Sequence, residues 1–96
     1  MANLLSKEPS GREEAEALYR RALVVDPNYV LAVNNLANLL RKEPSGREEA
    51  EALYRRALVV DPNYVLALTN LALLLSKEPS GCEEAEVLYR RALEAL

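Results

Sequence analysis

Ninety-six residues, 50% hydrophobic and 28% charged, have the composition of one folded domain rather than a disordered chain. A net charge of -3, with arginines interleaved among glutamates, excludes binding driven mainly by phosphate contacts, which requires a concentrated basic footprint. The longest apolar run, Val65 to Leu75, is interrupted by Thr69 and Asn70 and falls short of a membrane span, and no secretory segment is present. A single cysteine, Cys82, leaves no internal disulfide, which fits the cytoplasm or a recombinant or designed origin.

In chain order, Met1–Ser6 (MANLLS) matches Leu36–Arg41 (LANLLR), so the chain is expected to open within the last turns of a helix, at a cut edge of a longer array. Lys7-Glu8-Pro9-Ser10-Gly11 follows. Proline disfavours helix in the residue before it, and Ser10 with Glu13 has the spacing of a capping box, which predicts a helix over 11–25. Asp26-Pro27 is expected to end that helix and open another over 27–41, because Asp is a good N-cap and Pro suits the first helical position. Its buried stripe is Tyr29, Val33, Leu36, Ala37 and Leu40, flanked by Ala32 and Leu39. Opposite lie Leu31, Asn34, Asn38 and Arg41, with Asn35 at the edge.

The next copy begins at once. Lys42–Ser76 repeats Lys7–Arg41 at a spacing of 35 residues, differing only at Val33/Leu68, Asn34/Thr69, Asn38/Leu73 and Arg41/Ser76. Helices are predicted over 46–60, capped by Ser45 with Glu48, and over 62–76, opened by Asp61-Pro62. In the first of these, Ala50, Leu53, Tyr54, Ala57, Leu58 and Val60 form the apolar side, and Glu51/Arg55 is an i,i+4 pair on a solvated outer face. A last helix over 81–95, capped by Ser80 with Glu83, ends on Glu94, which makes an outward position polar in the manner of a terminal cap. The organisation is therefore a helix remnant (1–6), two full units (7–41 and 42–76) and a partial one (77–96). No single unit hides its own apolar side, so an all-α solenoid of antiparallel helix hairpins, about two and a half repeats long, is expected.

Val33, Leu36, Ala37 and Leu40 in one helix, Ala50, Tyr54 and Ala57 in the next, and the exit pair Asp61-Pro62 resemble the tetratricopeptide repeat, over nearly the whole chain. Two departures stand out: Val33 or Leu68 where the family has an aromatic, and a turn, Lys42–Gly46, one residue longer than its common form. The resemblance implies a right-handed superhelix that holds an extended peptide on its concave wall. That wall would carry Leu31, Asn34, Asn35, Asn38 and Arg41, then Leu66, Thr69, Asn70, Leu73 and Ser76. Asn35-Leu36-Ala37 and Asn70-Leu71-Ala72 also resemble the asparagine placement in the superhelical domain of O-GlcNAc transferases. A primary amide offers donor and acceptor together, so such a ladder suits the peptide backbone irrespective of side chain, although the same amides can bond a neighbouring helix or water. The cations of a chaperone-tail clamp are lacking on this wall.

Other readings stand beside this one. A 35-residue period also occurs in pentatricopeptide repeats, which read RNA, but the acidic balance is wrong for that partner. Near-identical copies suit a designed or excised repeat with no native ligand, and exposed ends suit head-to-tail self-association. No catalytic residue, metal set or cofactor cradle is expected. Cys82, in the place of Arg12 and Arg47, has no accompanying base, and adjacent glutamates such as Glu48-Glu49 point apart on a helix.

Overall fold

Alanine, leucine, glutamate and arginine are strong helix formers, and they fill the segments between the proline-bearing turns. The computed structural model describes residues 2–96, with side chains from Gly11 onward. Five α-helices follow one another: α1 (Ala2–Val25), α2 (Val30–Leu40), α3 (Arg47–Val60), α4 (Val65–Ser76) and α5 (Cys82–Ala95). A single 3-10 turn precedes α3 (Pro44–Gly46) and another precedes α5 (Pro79–Gly81). Helix makes up 84% of the chain, and there is no strand among the described residues.

The turns are short, so each helix folds back on the one before it. α2 also touches α4 directly. The outer helices meet through long side chains: Arg20 of α1 bonds Glu49 of α3 at 3.1 Å, and Arg55 of α3 bonds Glu84 of α5 at 2.8 Å. The five helices thus form two layers, here the inner layer of α2 and α4 and the outer layer of α1, α3 and α5. Between them lies one core, whose largest fully buried members are Tyr54, Leu36, Leu68, Leu71, Val33 and Asn34. The radius of gyration is 14.6 Å, against about 12.5 Å for a globular domain of this length. α1, at 24 residues against 11 to 14 for the others, is the longest element.

Several local expectations are corrected. Asp26 and Asp61 do not cap helices. Each opens a four-residue turn in which its carboxylate accepts from the backbone N–H of Asn28 or Asn63, and its carbonyl accepts from Tyr29 or Tyr64. α2 and α4 therefore start three residues later than predicted, at Val30 and Val65, and Tyr29 stands outside the helix and exposed. The capping boxes at Ser45/Glu48 and Ser80/Glu83 are not made either; Gly46 and Gly81 occupy the cap positions with no side-chain bond. The residue before proline is extended as expected, at Glu43 and Glu78. Val60, placed on the apolar side from sequence, is exposed at the helix end.

The largest correction is at the N-terminus, where α1 runs unbroken through Pro9 and Gly11 instead of starting at Gly11. Proline alone weakens a helix by removing one hydrogen bond. At Pro44 and Pro79 something stronger acts, because a β-carbon on Gly46 or Gly81 would collide with the backbone oxygen of Leu40 or Leu75. That close approach is the packing of α2 on α3 and of α4 on α5. Around Gly11 no atom lies within 4 Å of the same position, so no packed neighbour imposes the break.

Candidate functional site

The side of the inner layer turned away from the core carries the residues singled out from sequence. Leu31, Leu66 and Leu73 are 44%, 50% and 41% exposed, which is high for leucines on one face. Asn35, Asn38, Arg41, Thr69 and Asn70 are half-buried among them. Asn34 is not on the open wall as expected. It is only 1% exposed, because the direct contact between α2 and α4 covers it, and its carbonyl oxygen accepts from the Asn70 side-chain amide at 3.4 Å.

The polar groups of this face are partly committed. Thr69 bonds the carbonyls of Val65 and Leu66, and Ser76 bonds that of Leu73, so both hydroxyls turn inward along their own helix. Asn38 accepts from the Tyr54 hydroxyl, a contact that pins its amide. Asn70 spends one N–H on Asn34. Asn35 has no hydrogen bond among the described residues and lines a cavity of about 200 Å³ with Ala15, Tyr19, Asn38, Leu39 and Lys42. A larger cavity of about 340 Å³ is lined by Arg12, Glu13, Glu16, Leu40, Glu43, Ser45 and Gly46, and there Arg12 pairs with Glu43 at 2.8 Å.

Sequence reasoning missed that Tyr54, fully buried in the core, reaches Asn38 of this face with its hydroxyl. Burial pushes its phenol up to about 12, while nearby Arg41 pulls in the other direction. The Nε of Arg41 is buried without a hydrogen-bond partner among the described residues, beside the Tyr54–Asn38 pair. The signal was available in principle, since Tyr54 belongs to the core stripe and Asn38 to the wall, but only packing brings the hydroxyl across.

A comparison of the two full copies isolates the same face. Of the four positions at which Lys7–Arg41 and Lys42–Ser76 differ, Val33/Leu68 is in the core. The other three, Asn34/Thr69, Asn38/Leu73 and Arg41/Ser76, recur at i, i+4 and i+7 on the side of α2 and α4 away from the outer layer. The stretches Lys7–Ala32 and Lys42–Ala67, which include the outer helix of each copy, are identical in sequence.

The outer layer supports the fold without offering chemistry. Glu16/Arg20, Glu51/Arg55 and Glu86/Arg90 pair at i,i+4, each at 2.8 Å, as their spacing predicted. Arg55 holds the Glu84 carboxyl below its ordinary range through their hydrogen bond, and Glu84 in turn raises Arg55. Arg12 and Arg47 each reach forward to a carbonyl of the following inner helix, Leu39 and Leu74. Cys82, at the same position, is exposed and close to no such helix. Among the described residues no group of three His, Cys, Asp or Glu side chains can hold a metal ion, and no helix is long and apolar enough to cross a membrane. Compared with known protein families and with curated proteins, the chain matches none.

Proposed function

We propose that the chain is a tetratricopeptide-like interaction module, a superhelical stack of hairpins whose inner layer binds an extended peptide. The observation that carries this reading is that three of the four differences between copies, Asn34/Thr69, Asn38/Leu73 and Arg41/Ser76, recur on one side of α2 and α4, where Asn34 alone is fully covered, while outside these positions and Val33/Leu68 the repeat is kept. Direct contact between α2 and α4, with α1, α3 and α5 spaced further apart by arginine–glutamate pairs, favours curvature toward the inner layer. Asn35 presents a free donor and acceptor, and Asn70 retains its carbonyl oxygen and one N–H; together they suit the N–H and C=O groups of an extended backbone. Arg41, with Lys42 next to Asn35 and Asn38, gives this face positive charge that suits an acidic peptide side chain.

Magnitudes make the binding weak. Four new bonds, two at each of Asn35 and Asn70, at a net ~1 kcal/mol, plus roughly 0.7 kcal/mol for each of three half-exposed leucines, give about 6 kcal/mol. That corresponds to a Kd of tens of micromolar before ordering costs, and to roughly millimolar after them. The test is a screen of extended peptides by nuclear magnetic resonance titration, with an RNA control at two salt concentrations. Peptide binding should weaken about tenfold or more in the Asn35→Ala, Asn70→Ala double variant. Unchanged binding there, or shifts confined to the outer layer, removes the inner face as the site.

A further inference from the structure

Where α2 carries Asn38 and Arg41, α4 carries Leu73 and Ser76, and the exchanged residues are opposite in character. Asn38 and Arg41 stand three residues apart on one helical face, so both side chains can reach one group. The Asn38 carbonyl oxygen is held by the Tyr54 hydroxyl, while its NH2 group makes no bond among the described residues. Arg12, Arg20, Arg47, Arg55 and Arg90 all pair with glutamates. Arg41 has no ion pair among the described residues, and its buried Nε has no acceptor. Donors gathered without an acceptor suit a carboxylate, whose two oxygens match the guanidinium fork.

α4 offers the reverse. Leu66 and Leu73 lie two turns apart on one face and are 50% and 41% exposed. The Thr69 and Ser76 hydroxyls beside them are spent on carbonyls of their own helix. Lys42 and Lys77 follow the two helices alike, and Leu31 matches Leu66, so none of these distinguishes the copies. The distinguishing charge is Arg41, and the distinguishing apolar group is Leu73.

We propose that the two inner helices recognise different parts of one extended peptide: α2 takes an acidic side chain through Arg41 and Asn38, and α4 takes a large aliphatic side chain against Leu73 and Leu66. The inference rests on the peptide-binding reading above and adds the chemistry of the ligand to it. The fold sets the spacing. Packed helices lie about 8 to 10 Å apart, and α2 touches α4 directly. A polyproline II strand returns to the same side every third residue, after about 9 Å. The acidic and aliphatic residues therefore stand three apart within the ligand, and no terminal carboxylate is needed.

The probes are short proline-rich peptides, acetylated and amidated, that differ only at two positions three apart: Asp with Leu, Asn with Leu, Asp with Ala, and Asn with Ala. Each is made in both orders and titrated into the full chain, with binding read from the amide shifts of α2 and α4 by nuclear magnetic resonance. The better Asp-with-Leu order should bind about threefold or more tighter than its Asn-with-Leu and Asp-with-Ala partners. Arg41→Ser should erase the preference for Asp over Asn and keep that for Leu over Ala, and Leu73→Asn should do the converse. Each variant installs the residue that the other copy already carries at that position, and unchanged helical circular dichroism checks the fold. Equal affinities for all the peptides, with α2 and α4 shifting, overturn the inference and leave the peptide-binding reading standing. A preference for Asp that survives Arg41→Ser assigns the charge to Lys42 or Lys77 and overturns it too. Shifts absent from α2 and α4 with every peptide at about 5 mM remove that reading, and this inference with it.

Discussion

α1 and α3 contain the same stretch of sequence, and everything that distinguishes them comes from what lies beside them. In α3 that stretch starts after a forced turn and is buried on both flanks; in α1 it continues an uninterrupted helix and has one flank open. Helical conformation is thus a property of the stretch itself, whereas its ends and its burial belong to the neighbours. A similar comparison holds between α2 and α4, which share their core-facing side except for Val33/Leu68 and carry their other differences on the side away from α1, α3 and α5.

Truncating paired leucines tests the comparison most strongly. Leu53→Ala should cost about 2 to 5 kcal/mol in denaturant unfolding, because it leaves a cavity against α2. Leu18→Ala, the same change in the same local sequence, should cost under about 1 kcal/mol, since the side chain is already half in water. Equal costs would mean that the two flanks are equally covered in solution.

The tyrosines sharpen it through pH. Tyr54 has a folded-state value raised from 10.0 to about 12, so its contribution is complete below pH 10 and is lost as pH rises toward about 12. The loss amounts to about 2 to 3 kcal/mol. An alkaline unfolding titration should show this limb in the parent chain, keep it in Tyr19→Phe and lose most of it in Tyr54→Phe. A limb that survives Tyr54→Phe unchanged would assign the effect elsewhere.

The glycines give the smallest effect and one of opposite sign. Gly46→Ala forces a β-carbon onto the Leu40 carbonyl and should destabilise by about 1 to 2 kcal/mol. Gly11→Ala meets open space within a helix and should stabilise by about 0.5 to 1 kcal/mol. Thermal melts of the two single variants check both signs at once, and a cost at Gly11 would mean that a turn forms there too.

Much of the architecture was legible before any coordinates. Apolar positions three and four residues apart located the helices, and the spacing of 35 residues showed that they recur in pairs. Acid-then-base order along the outer faces predicted the Glu51/Arg55 type of pair, but not the bonds from Arg20 to Glu49 or from Arg55 to Glu84, which link residues 29 apart. The starts of α2 and α4 were misplaced because Asp-Pro is compatible with both a cap and a turn, and the tyrosine three residues on decided for the turn. Asn34 was misplaced because periodicity describes one helix at a time, while its burial comes from a second helix crossing beside it.

Local chemistry therefore established that this chain is helical, repetitive and amphipathic, since backbone propensity and side-chain spacing act within a few residues. Where each helix stops, which amides remain free and which leucines meet water were left to the packing of one helix on another. Those outcomes depend on close approach between one helix and the next, as at Gly46 against Leu40 across a turn and Asn70 against Asn34 at long range, and identical letters at Gly11 and Leu18 met a different fate for want of a neighbour.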